Sequence, residues 1–120
     1  MEQGRPRRRK VAAAKDSKKK DPHAVDAALV TALNHPTRRQ LLKLYLESEA
    51  ALSPKELAKL TGEKLRTISY HVRVLADKDA IELAEEEFVR GSIAHFYRPT
   101  RLIRSRPWVL QSLELESPKR

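Results

Sequence analysis

The chain has no cysteine among its 120 residues. Disulfides, thiolate metal sites and cysteine nucleophiles are therefore excluded. Glycine is scarce too: Gly4, Gly62 and Gly91 stand alone, so no glycine-rich loop is available to cradle a phosphate. Aromatic residues are 5% of the chain, and Tyr70, Tyr97 and Trp108 do not form the stacking array that binds single strands. No apolar run approaches the roughly 18 residues needed to span a bilayer. Val11-Ala12-Ala13-Ala14 is far too short for the apolar segment of a secretory signal. A cytoplasmic location, away from any membrane, is expected by elimination. No acid pair or nucleophile–base set stands out either, so the sequence does not predict an enzyme and implies no cofactor.

Basic charge is abundant but uneven. Of a net +9, residues 1–20 contribute +7, from nine Lys/Arg against Glu2 and Asp16. Residues 21–120 hold sixteen Lys/Arg against fourteen acids, leaving only +2. Within the first twenty residues, Arg5-Pro6-Arg7-Arg8-Arg9-Lys10 and Lys18-Lys19-Lys20 repel one another and nothing can bury a face. Disorder is the expectation there. This tail could track the DNA backbone, serve as an import signal of two basic clusters, or simply aid solubility.

Proline marks the helix starts. Asp21-Pro22, His35-Pro36 and Ser53-Pro54 each place a capping residue before Pro at the first helical position, where its missing N–H costs nothing. Ser53-Pro54-Lys55-Glu56 is also a capping box. Helices are predicted over 22–33, 36–48, 54–61 and about 64–78, strands near 80–87 and 93–99, and a short helix near 107–115. Leu41, Leu42, Tyr45 and Leu46 form a core stripe, as do Leu57, Ala58 and Leu60 in the next helix. In the fourth helix Leu65, Ile68, Val72 and Leu75 share one face, spanning about 80° at 100° per residue. The opposite face shows Arg66, Thr67, Tyr70 and Arg73, with Ser69 and His71 on the flanks.

Two short helices joined at Gly62, the second basic on its outer face, then a strand–turn–strand with Arg90-Gly91 near its turn, describe a winged helix-turn-helix. The predicted fold is thus mainly α with a small β-hairpin, preceded by a disordered basic N-terminal tail. It divides into residues 1–20 as the tail, 21–100 as the winged helix domain and 101–120 as a C-terminal segment. A second helix of this kind fits the major groove of double-stranded DNA. Arg66 and Arg73 suit guanine edges or phosphate, and Thr67 and Ser69 can donate or accept. Tyr70 can reach a phosphate or a thymine methyl, while Lys64 at the helix start suits a phosphate. Arg90 is a candidate for the minor groove or its rim. Glu85-Glu86-Glu87 in the first strand must then face away from phosphate, or the wing does not touch DNA. His71 either meets a phosphate or packs at the edge of the core. His35 is better explained as a helix start, and no two histidines have the i, i+4 spacing of a metal pair.

These residues resemble the ArsR-like (arsenical-resistance repressor type) winged-helix family over roughly 27–99. The resemblance rests on Ala32-Leu33-Asn34-His35-Pro36-Thr37-Arg38-Arg39-Gln40-Leu41-Leu42, on Leu57-Ala58 before Gly62, and on Thr67-Ile68-Ser69-Tyr70-His71-Val72-Arg73-Val74-Leu75. Arg90-Gly91-Ser92-Ile93-Ala94-His95-Phe96-Tyr97-Arg98 is similar to the wing and returning strand of a subgroup. It implies a nucleoid-associated, dimeric transcriptional repressor in which Thr67, Ser69 and His71 lie among the DNA contacts. It also implies a dimer contact between the C-terminal segment (Trp108, Leu110, Leu113) and the first helix (Val25, Leu29). The plain alternative is that this segment folds back on its own domain. Metal-sensing members carry cysteine pairs or terminal Asp/His/Glu sets. This chain has no cysteine and no histidine beyond His95, so no metal is expected. Two other functions stay open: a non-specific chromosome-coating protein driven by the tail, and a winged-helix module used for protein or RNA contacts.

Overall fold

A computed structural model describes residues 7–11 and 21–113. In chain order the elements are β1 (Arg7–Lys10), α1 (Pro22–Ala32), α2 (Pro36–Glu47), α3 (Pro54–Thr61), α4 (Leu65–Asp77), β2 (Ile81–Val89), β3 (Ser92–Pro99), α5 (Arg101–Arg104) and α6 (Pro107–Ser112). A helix-turn-helix unit is followed by an antiparallel wing, in the order the sequence predicts. The three strands lie β1-β2-β3.

Helices α1, α2 and α3 each start where a proline stands, because a side chain satisfies the free N–H groups beside it. Asp21 accepts from the His23 amide and His35 Nδ1 from the Thr37 amide. Around α3 the capping box closes both ways: the Glu56 amide donates to Ser53 Oγ at 3.2 Å, and the Ser53 amide donates to Glu56 Oε1 at 2.9 Å. Gly62 ends α3 in the left-handed region at φ +80°. Asp79 does the same after α4 at φ 64°, and the Ala80 amide reaches back to the Leu75 carbonyl.

One core joins all the layers. Leu29 and Ala32 of α1, Leu41, Leu42 and Tyr45 of α2, Leu57 of α3, and Ile68, Val72 and Leu75 of α4 are buried together with Ile81. Removing each large side chain from water contributes about 1.5–3 kcal/mol. Two members of the expected stripes fall outside it. Leu60 is 61% exposed and Leu65 50% exposed. They flank the turn between α3 and α4.

Three further departures are corrections. Residues 7–10, expected in a disordered tail, form the edge strand β1. Its backbone pairs along β2 with Arg7 opposite Phe88, Arg8 opposite Glu87, Arg9 opposite Glu86 and Lys10 opposite Glu85. The rest of the expected tail, 1–6 and 12–20, lies outside the described residues. The C-terminal segment contains α5, which periodicity did not reveal, and it folds back on its own domain: Ile103, Val109 and Leu113 enter the common core. An ion pair at 2.6 Å between Arg106 Nε and Asp26 Oδ1 ties the start of α6 to α1. Leu29 and Leu113, expected at a dimer contact, are therefore already covered by their own chain. Residues 114–120, including Leu115, lie outside the described residues.

Candidate nucleic-acid interface

Helix α4 sits on the core through Ile68, Val72 and Leu75, which fixes its long axis and its rotation. Whatever lies opposite that stripe must face solvent. Lys64, Arg66, Tyr70 and Arg73 are exposed, with Tyr70 at 57%, while Thr67 and Ser69 on the flank are partly exposed. Six of the seven α4-region candidates thus share one accessible, basic surface. Thr67 and Ser69 add hydroxyls to it, and no acid of α4 shares it until Asp77 at the far end.

His71 is the seventh, and the structure removes it from that surface. It is 6% exposed. Arg38 Nη1 donates to its Nδ1 at 3.1 Å, and its ring lies 4.4 Å from that of His35. Because an arginine can only donate, this bond requires a neutral imidazole with its proton on Nε2. Burial, then His35, then Arg38 push the His71 pKa below its usual 6.5, against an opposing pull from Glu63. Of the two readings of His71, packing at the core edge is the one realised.

Arg38 also explains how α4 is held. Its Nε donates to the Ala32 carbonyl at 2.7 Å and its Nη2 to the Thr31 carbonyl, while Arg39 Nη1 donates to the Leu33 carbonyl at 2.8 Å. Two arginines of α2 thereby occupy the free carbonyls at the end of α1. One guanidinium then bridges α1 to α4 through His71. Sequence reasoning gave neither arginine a role. The signal was their place directly after the His35-Pro36 start, six residues beyond the carbonyls they reach.

The wing tip is a two-residue turn. Arg90 and Gly91 both have positive φ, 44° and 79°, with Val89 paired to Ser92. Such turns suit Asn-Gly or Gly-Gly. Arg90 is a non-glycine residue held in this strained conformation, at the exposed tip. Phe88, Val89 and Ile93 beside it are exposed as well.

Two acids of the run that argued against this wing, Glu85 and Glu86, have partners. Glu85 pairs with Arg8 at 3.0 Å, and Glu86 with Arg9 at 3.2 Å and His95 at 3.7 Å. Glu82 pairs with Arg98 at 2.9 Å. Among the described residues no group of three or more His, Asp or Glu side chains could hold a metal ion. No helix among them is long and apolar enough to cross a membrane.

Residues 33–84 match a family described as a helix-turn-helix domain. The matched stretch takes in α2, α3, α4 and the first half of β2, which is the unit carrying the basic surface. A domain of this kind supports DNA binding by a regulator as the general activity of the chain. No curated protein matches it.

Proposed function

We propose that the protein is a sequence-specific double-stranded DNA-binding transcriptional regulator of the ArsR-like type, a repressor that reads the major groove with α4. The observation that carries this reading is the division of α4 into a buried stripe and an accessible basic face holding Arg66, Tyr70 and Arg73. A recognition helix needs both: the stripe sets the docking angle, and the opposite face reaches base edges. Lys64, Thr67 and Ser69 would add phosphate and hydroxyl contacts, and Arg90 would meet the minor groove or its rim. His71 would act from within, by holding α4 to Arg38.

Residues 21–100 would be the DNA-binding unit, with 101–113 packed against it. Homodimerisation remains part of the reading, through the half-exposed Val25, Trp108 and Leu110, since Leu29 and Leu113 are consumed in the core. Occlusion of a promoter in the nucleoid would follow from tight binding to a two-fold site.

The test is selection of randomised duplexes at about 150 mM salt, a concentration that suppresses purely ionic binding. An enriched two-fold motif is expected. On that motif Arg66→Ala and Arg73→Ala should each cost about 1–3 kcal/mol, and far less on random DNA. Binding without enrichment would instead identify a chromosome-coating protein. No duplex binding at all would leave a module for protein or RNA contacts.

A further inference from the structure

Strand β1 brings three described basic side chains, Arg8, Arg9 and Lys10, onto the acidic strand of the wing. The fit is more than charge. Arg8 ion-pairs with Glu85 and its guanidinium stacks 3.9 Å from the Phe96 ring centroid. Arg9 ion-pairs with Glu86 and lies 5.3 Å from the Phe88 centroid. Neighbouring strand residues point to opposite faces, so these two arginines grip the sheet from both sides. The Val11 amide donates to the Ala84 carbonyl at 2.8 Å and closes the end of the strand pair.

Without β1 the strand would present Glu85, Glu86 and Glu87 beside the tip at Arg90, three negative charges in a row. At about 3.3 Å per residue they stand roughly 7–13 Å before the end of the strand. That is close to one screening length at physiological salt, so they would repel any phosphate backbone the tip approached. With β1 in place the three described basic side chains Arg8, Arg9 and Lys10 match the three acids, and the local formal charge changes from −3 to 0. The opposite edge of the sheet is closed separately, by reciprocal hydrogen bonds between Leu52 and Tyr97. The wing is thus a three-stranded sheet whose charge depends on the N-terminal strand.

We propose that β1 is the counter-charge that makes the wing a DNA-facing element: Arg8 and Arg9 neutralise Glu85 and Glu86 in place, and the wing engages duplex DNA in one surface with α4. This inference rests on the DNA-binding reading above. It assigns the arginines of β1 a positioning role through the wing acids, distinct from an arm that tracks phosphates by itself.

The experiment is a cycle in the full chain: parent, R8Q/R9Q, E85Q/E86Q and the fourfold variant. Each is titrated against one duplex by fluorescence anisotropy at about 100 mM salt. R8Q/R9Q should weaken binding about tenfold, the order expected for exposing uncompensated acids near phosphate. E85Q/E86Q should bind at least as tightly as the parent. The fourfold variant should fall within about threefold of E85Q/E86Q, because the arginines then have no acids left to neutralise. Equal losses from R8Q/R9Q in both backgrounds would mean that the arginines touch DNA directly, and would overturn the proposal. The docking itself is read without DNA, as the rate of tryptic cleavage after Arg8 and Arg9. Slower cleavage in the parent than in E85Q/E86Q is expected, and equal rates would overturn the proposal whatever the DNA result. A parent that binds no duplex while its arm is protected would overturn the regulator reading and the wing's role with it. A parent that binds DNA but shows equal losses overturns the wing's role alone.

Discussion

In the helical head, α2, α3 and α4 meet through Leu41, Leu42, Leu57, Ile68, Val72 and Leu75, all buried. In the distal wing, β1 meets β2 through a backbone ladder, Arg8–Glu85, Arg9–Glu86 and two arginine–aromatic contacts, while Phe88 and Ile93 at the tip are each 48% exposed. The head is held by apolar area removed from water, a term that salt hardly touches. The wing edge is held by partly exposed charge pairs, worth about 0.2–1 kcal/mol each and weakened by salt. One end of the molecule is therefore a rigid platform for α4. The other is an electrostatic element whose state follows its ionic surroundings, including a polyanionic partner.

The largest effect that separates the two regions is a cavity in the head. Leu75→Ala, at a fully buried position, should lower the unfolding free energy by about 2–5 kcal/mol. Glu85→Ala in the wing should lower it by less than about 1 kcal/mol. Chemical denaturation measures both, and comparable losses would erase the distinction.

Next is the hairpin turn. Gly91 has φ +79° and nothing within 4 Å of where a Cβ would stand, so Gly91→Ala tests backbone strain without a clash. A cost of about 1–2 kcal/mol is expected, with amide exchange accelerated in β2 and β3 and unchanged in α4.

The head has its own charge-sensitive point at His71. Its folded pKa lies below the unfolded value of 6.5, because burial and the neighbouring His35 and Arg38 disfavour the cation. A depressed histidine contributes its full stability above the unfolded pKa. That stability is lost as pH falls below about 6.5, where the unfolded chain takes up the proton first. The groups packed around it are His35 and Arg38 from the start of α2, with Glu63 and Tyr70 on its own side. The Tm should fall between pH 7.5 and pH 5, and fall less in His71→Asn, which keeps an acceptor for Arg38. Parallel pH profiles for the two proteins would refute the role.

The smallest expected effect concerns Tyr45. Its ring is buried and its hydroxyl has no hydrogen-bond partner among the described residues, and burial pushes its pKa up. An unmet buried hydroxyl costs about 1–3 kcal/mol by itself, so removing it can be neutral or stabilising. Tyr45→Phe should leave the Tm unchanged or raise it slightly. A clear drop would show that the hydroxyl has a partner.

Most of the head was legible in the chain. Asp21-Pro22, His35-Pro36 and the Ser53–Glu56 box announced three helix starts that the structure places at Pro22, Pro36 and Pro54. The 3, 4, 3 spacing of Leu65, Ile68, Val72 and Leu75 placed α4 and its outward face, and only Leu65 missed the core. The hairpin at Arg90-Gly91 was also visible, since a glycine flanked by alternating residues is a local signal. Periodicity could not tell that His71, on the flank of α4, turns inward. That depended on whether a donor stood opposite, and Arg38 is 33 residues away.

The sequence by itself determined where helices start and stop, which face of α4 is apolar, and where the wing turns. Caps, prolines and the 3.6-residue period act within a few residues of one another, so each leaves its mark locally. Tertiary structure alone decided the rest. A run of arginines looks disordered until Glu85 and Glu86, 77 residues away, supply the opposite charge that makes it a strand. The apolar face of the C-terminal segment could have met a second copy or its own domain. Leu29 and Leu113 went to their own core, an outcome that belongs to the packed chain rather than to any stretch of it.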